Sequence, residues 1–223
     1  MTQLELIELV QQHHAHMGYS EIRLALNRAQ DDYCAKTELI KTSYTQTSTA
    51  GKRYYELHSD IIKVTKVQIN DVDIPRLLSM PIIDDDEWDD ATGLTAPSSS
   101  TNERYWYIDN NREGVVEKIA NSVSRDDKTS NFQSISEAKE IRIHAIAQAS
   151  DFSTTLTTVS DLPTQFHDAL LWKVIAYLYM DPPALAPDAA AAFDSRYMEL
   201  VNEAKKFAKS NKTRGGYINP VYF

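Results

Sequence analysis

The spacing of apolar residues changes twice along the chain. Leu4, Ile7, Val10 and His14 recur at the spacing of one helix face, which predicts a first helix over 2–16. Gly18 stands where a helix stop is expected, and Ser20 is placed to cap a longer second helix over 20–46. The buried stripe of that second helix reads Ile22, Leu26, Ala29, Tyr33, Ile40 and Tyr44, and it breaks at Thr47-Ser48-Thr49-Ala50-Gly51.

Period two then takes over. Arg53–Leu57 and Ile62–Ile69 alternate as strands do, and Asn70-Asp71 is turn chemistry. Arg104-Tyr105-Trp106-Tyr107-Ile108 is aromatic and β-forming, and Gly114–Ile119 is placed to pair with it across Asp109-Asn110-Asn111. Glu140–Ile146 is a further candidate strand, and the Thr-rich Phe152–Val159 reads as extended. Two polar stretches, 84–102 and 121–137, read as long mobile loops.

Helical spacing returns after Pro163, a residue suited to a first turn. Phe166, Leu170, Val174, Tyr177 and Leu178 form one face of a helix over 163–180, and Leu171, Trp172 and Ile175 cover others, so burial nearly all round is expected. Asp181-Pro182-Pro183 stops it. A last helix over 188–210 would turn Phe193, Tyr197, Leu200, Val201, Ala204 and Phe207 inward.

The order predicts an α+β fold: a helical bundle formed by the N-terminal and C-terminal helix pairs, with a β-rich, loop-rich middle excursion. The expected divisions are 1–50 for the N-terminal helices, 51–160 for the β-rich region, 161–210 for the C-terminal helices and 211–223 for an extended tail.

Composition narrows the function. The net charge of −9 lacks the phosphate-neutralising excess of a DNA-wrapping protein, yet suits a conduit that must not grip DNA. Cys34 is the single cysteine, which excludes an intrachain disulfide and zinc sites built on several cysteines. The beginning of the sequence has no secretory-signal pattern, and no apolar run reaches the roughly 18 residues of a membrane span.

Each candidate for chemistry has a plainer reading beside it. His13-His14-Ala15-His16 offers a metal pair at positions 13 and 16, against a solvated helix end. Asp84-Asp85-Asp86-Glu87-Trp88-Asp89-Asp90 has the oxygen ligands a calcium or magnesium ion takes, against a self-repelling solvated loop. Asp109–Gly114 opens like an EF-hand loop, but Ala120 occupies the position that needs a bidentate Glu, so a hairpin turn is the reading. His167-Asp168 would sit on a helix surface with no placed nucleophile. With 6 Gly in all, the chain shows no P-loop, no dinucleotide fingerprint, no GxSxG and no HExxH. No cofactor and no catalytic residue are expected.

The run Gly51-Lys52-Arg53-Tyr54-Tyr55-Glu56-Leu57, followed by Asp60-Ile61-Ile62-Lys63-Val64-Thr65-Lys66-Val67, resembles the G-x-x-x-Y-x-L-P-x-D-x-x-x-V-x-x-V stretch of tailed-phage head-to-tail adaptor proteins. His58 stands where that family usually has proline. Arg104-Tyr105-Trp106-Tyr107 is similar to the family's aromatic middle strand, and Asp161-Leu162-Pro163 leading into Phe166–Leu170, with Phe193 and Tyr197 beyond, resembles its C-terminal helix pair. The resemblance implies a non-enzymatic virion subunit assembled in the host cytoplasm. Its expected form is a homo-oligomeric ring, twelve-fold in the family, with the portal protein and tail or further neck proteins as partners. DNA would pass through without specific binding. A wall-degrading hydrolase using carboxylates such as Asp84 or Glu87 is the competing function, and a host-facing binding module a third.

The tail carries the candidate site. From Arg196 onward six basic residues face two acidic ones, which makes this end near +4. Beyond the Gly215-Gly216 joint, the apolar Tyr217, Ile218, Val221, Tyr222 and Phe223, with Pro220 and the preceding Arg214, read as a portal-docking arm.

Overall fold

The computed structural model of the chain describes residues 1–50, 52–78, 100–110, 112–125, 128–135, 137–181 and 185–213. The chain divides into two compact units. One joins Met1–Lys41 to Ile146–Phe223; the other is Thr42–Ala145.

The first unit is helical. Helix α1 (Gln3–His13) opens on a capping box, in which the Glu5 amide donates to the Thr2 hydroxyl at 3.3 Å and the Thr2 amide donates to the Glu5 carboxylate at 2.8 Å. Helix α2 (Tyr19–Thr37) starts at Gly18, whose N–H donates to the Glu21 carboxylate at 3.0 Å. Gly18 therefore serves the start of α2, not the end of α1, and Ser20 lies inside the helix. Glu21, reaching back to the Gly18 amide, makes the half of a capping box that needs no side chain at the N-cap.

Helix α2 ends sooner than its apolar stripe suggests. Glu38 takes a left-handed backbone (φ 52°), and Ile40 and Tyr44 fall outside the helix. The reason is local: Lys41–Thr47 is rich in Thr and carries Tyr44, residues that pack better on a pleated surface than in a helix.

Helix α3 (His167–Met180) follows a short 3-10 turn, Thr164–Phe166. Ala169, Leu170, Val174 and Ile175 have no exposed surface, and only Asp168 and Met180 of this helix are exposed. His167 corrects the surface reading: it is wholly buried, with Nε2 2.9 Å from the Leu162 carbonyl. Helix α4 (Pro187–Thr213) contributes Tyr197, Val201 and Ala204 to the same core as Leu6, Ile7, Val10, Ile22, Leu26 and Tyr33. The Tyr197 hydroxyl donates to Asp32 at 2.7 Å, and Lys173 pairs with Asp194 at 2.7 Å.

The expected extended stretch Phe152–Val159 is an irregular segment that serves α1 and α2. The Thr158 and Leu156 carbonyls accept from the otherwise orphaned amides of Gln3 (2.7 Å) and Leu4 (3.0 Å). Gln30, wholly buried on α2, donates to the Ser150 carbonyl at 2.8 Å and accepts from Ser160 at 2.7 Å.

The middle of the chain corrects the reading of a helical bundle with a loop-rich excursion. It is a mixed α+β chain in which the middle forms two antiparallel sheets on a core of their own. The first sheet has the order β1-β8-β3-β4, from β1 (Lys41–Thr47), β8 (Glu140–Ala147), β3 (Ile61–Ile69) and β4 (Val72–Ile74). The second has the order β2-β6-β5, from β2 (Tyr54–Glu56), β6 (Arg112–Arg125) and β5 (Ser100–Asp109), with β7 (Lys128–Ser134) also paired to β6. Tyr55, Val64, Val67, Ile69, Trp106, Val115, Ile135, Ile141 and Ile143 form the shared core. Beyond β4 the chain is tied to β5, since the Trp106 amide donates to the Pro75 carbonyl (3.1 Å) and the Leu77 amide to the Trp106 carbonyl (2.7 Å).

Of the two polar stretches read as loops, 121–137 holds the end of β6 and all of β7. Polar composition marks a solvated hairpin as readily as a loop, and period-two patterning is silent where both faces are polar. Residues 100–102 of the other stretch open β5; the rest lies outside the described residues.

Leu170→Ala should cost about 2–5 kcal/mol, since Leu170 is wholly buried between helices with no route for the core to collapse. Trp172 is only half-buried, stacked on Phe193 at 5.7 Å, so Trp172→Ala should cost less. Chemical denaturation of both variants checks the order.

Candidate functional site

The run that carries the family resemblance is a strand, a tight turn and a second strand, and its named positions are structural. Tyr55 of β2 is buried, and its hydroxyl sits among the backbone of the preceding turn: it donates to the Lys52 carbonyl at 2.8 Å and accepts from the Thr49 amide at 3.1 Å. Burial is the main cause that pushes its pKa up. Leu57 packs against the β core, while Val64 and Val67 of β3 are buried in it. Between them the Ile61 amide closes a turn on the His58 carbonyl at 3.0 Å. His58, the departure from the family's proline, has Nδ1 3.2 Å from the Asp60 carboxylate and stacks on Tyr44 with ring centres 4.9 Å apart.

The aromatic strand completes this unit. Trp106 faces the core, with the Arg76 guanidinium 5.1 Å from its ring centre. Tyr107 lies directly over Gly114, its partner across the β5–β6 pairing. A Cβ at Gly114 would fall 2.2 Å from Cζ of Tyr107, so the ring occupies the space that any side chain would need. Tyr54 stands edge-on to Tyr107 at 6.2 Å and lies near two guanidiniums, Arg53 at 4.6 Å and Arg112 at 4.5 Å from its ring centre.

The EF-hand-like run is the hairpin between β5 and β6. Asp109 pairs with Arg112, and Asn110 takes the left-handed conformation (φ 54°) that asparagine tolerates in tight hairpins. Glu113, next in line, is wholly buried, and burial pushes its pKa up to about 8. One carboxyl oxygen meets the Gln46 amide at 3.5 Å; the other has no hydrogen-bond partner among the described residues. Sequence reasoning missed Glu113, because a glutamate beside a hairpin turn normally reads as solvated.

The other candidates are placed as follows. Helix α1 ends at His13, so His16 lies beyond the helix and the two rings do not share one of its faces. His14, between them, is buried against Tyr179 at 4.5 Å, and desolvation, followed by His16 and His13, lowers its pKa. Cys34 is buried, and desolvation raises its thiol to about 11. Among the described residues no three His, Cys, Asp or Glu side chains are placed to hold a metal ion. The acidic run 84–90 and the docking residues Arg214, Tyr217, Ile218, Pro220, Val221, Tyr222 and Phe223 lie outside the described residues.

Residues 1–215 match the family model described as SU10 adaptor protein. The chain belongs to that family. The SU10 adaptor proteins are phage head-to-tail adaptors, so the resemblance read from the signature run and its order along the chain is the right one. Membership makes this adaptor a structural component of a phage virion. No curated protein matches the chain. Among the described residues no helix is long and apolar enough to cross a membrane. The named positions of the adaptor signature build the β core and its turns.

Gly114→Ala should destabilise the adaptor by about 1–3 kcal/mol, because the new methyl must displace the Tyr107 ring. In the Tyr107→Ala background the same substitution should cost less, with a coupling on the order of 1 kcal/mol. A thermodynamic cycle by urea unfolding reads this, and strict additivity would refute the ring-over-glycine account.

Proposed function

We propose that this adaptor forms a closed ring of twelve copies below the portal, extends the DNA channel and offers the surface on which the tail attaches. The observation that carries the reading is the adaptor-family match over 215 of 223 residues. In such a ring one face of each subunit meets a different face of the next, a heterologous contact that closes when the rotation matches the ring. The ring would sit at the neck of the virion after assembly in the host cytoplasm. Its partners are the portal on one side and tail or further neck proteins on the other.

The docking arm for the portal is the tail that follows α4. Helix α4, at 27 residues and about 40 Å, carries the chain to Thr213. Arg214, Tyr217, Ile218, Pro220, Val221, Tyr222 and Phe223 then supply a cation and apolar side chains, the chemistry of an anchor that fits a groove. The family match ends at residue 215, so nearly all of this arm lies past it.

Electron microscopy of the adaptor mixed with portal rings tests the main proposal; a portal-bound ring is the expected image, and adaptor that stays monomeric beside bare portals would refute it. Deleting residues 214–223 should abolish attachment to portal rings while leaving the thermal midpoint of the isolated adaptor nearly unchanged. A large drop in that midpoint would show that the arm packs on its own subunit.

Passing DNA would be held loosely. A chain of net charge −9 has no excess of phosphate-neutralising residues, so duplex DNA should bind more weakly than about 1 µM at physiological salt. Filter binding across a salt series checks this, and tighter binding with a steep salt slope would overturn the conduit reading.

A further inference from the structure

We propose that Glu113 is a proton-operated latch between the two sheets of the β unit: as a neutral acid it lets β1 sit against β6 through Gln46, and as a carboxylate it loosens that seam. The placement carries the argument. Glu113 is on β6, in the middle of the second sheet, opposite Tyr55 of β2 and Ile108 of β5. Gln46 comes from β1, the edge strand of the first sheet, and among the described residues its amide is the hydrogen-bond partner of the carboxyl. This 3.5 Å contact links β1 to β6 at a point closed to water.

The surroundings do not neutralise a charge there. Toward β2 the titratable group facing the carboxyl is the Tyr55 phenol, which already donates to the Lys52 carbonyl; Arg53 and Lys52 of that side lie over the Tyr54 and Tyr55 rings. Toward β5 it meets Ile108, and the next carboxylate, Asp109, is tied to Arg112 at 3.4 Å. Toward β1 it meets the neutral Gln46 amide. Burial alone accounts for the shift of Glu113 to about 8. At neutral pH the carboxyl therefore keeps its proton in most molecules, and a buried carboxylate appears as the pH approaches 8.

Strand β1 is suited to be the moving part. Its side chains alternate between exposed and half-buried, and none is fully buried, so little apolar surface holds it down. Segments of that kind open with small free energies.

The pH sense follows from linkage. An exposed glutamate titrates near 4.5, so between 4.5 and about 8 the opened form releases a proton that the closed form keeps. The closed form therefore loses stability as pH rises through that window, by up to tenfold in the opening equilibrium per unit, and the loss levels off above about 8.

Hydrogen exchange of the full-length adaptor from pH 5 to 9.5, corrected for intrinsic rates, tests the latch on the β1 and β6 amides. The wild type should lose protection with rising pH and level off near 8, whereas Glu113→Gln should show little dependence on pH. In Gln46→Leu, which lacks this amide donor, the levelling point should move to higher pH. A flat wild-type profile, the same slope in Glu113→Gln, or an unmoved levelling point in Gln46→Leu would each overturn the proposal. Should Glu113→Gln fail to fold, carboxyl-carbon NMR of the wild type decides: no glutamate titrating above pH 7 refutes it.

Discussion

Helix α3 cannot exist without cover on nearly every side, and the helical unit is organised around that requirement. Twelve of its fourteen residues are buried or half-buried. Elements distant in sequence must supply the cover: α1 and α2 from the start of the chain, α4 from its end, and the irregular segment before Pro163. Three polar groups trapped by this packing are matched: His167 reaches the Leu162 carbonyl, Tyr197 reaches Asp32, and Gln30 reaches Ser150 and Ser160. A buried polar group without such a partner costs on the order of 1–3 kcal/mol, so these bonds specify one arrangement of helices over its competitors.

The β unit solves a different problem. Two small sheets share one apolar layer. The adaptor signature is placed where this layer needs exact fit. Tyr55, Val64 and Val67 fill it, and the turn between the strands is closed by His58 and Asp60. The proline usual at position 58 would fix that turn through its ring. Here the imidazole does the same work by pairing with Asp60 and stacking on Tyr44.

Much of this was legible in the sequence, and the failures share a cause. Strongly periodic segments were located well: α3, α4, β3, β5 and β8 lie close to where apolar spacing puts them, and β6 starts there but runs on to Arg125. The end of α2 was not, because Ile40 and Tyr44 happen to continue its stripe, and only the Thr-rich composition of 41–47 argues for a strand. Strand β7 was hidden because neither of its faces alternates in polarity. Two compact units instead of one bundle with an excursion could not be read, since sheet pairing between residues 41–47 and 140–147 is non-local. The family was visible from turn and core positions in order; Glu113 and the Tyr107–Gly114 contact, each defined by neighbours across a sheet, were not.

The burial of Cys34 has a practical consequence for labelling the adaptor. It is the chain's only cysteine, and a thiol raised to about 11 carries almost no thiolate at neutral pH. Maleimide dyes and spin labels will therefore pass over the native protein. A cysteine introduced at any exposed position becomes a unique chemical handle, so distances between labelled positions can be measured without first removing a background site.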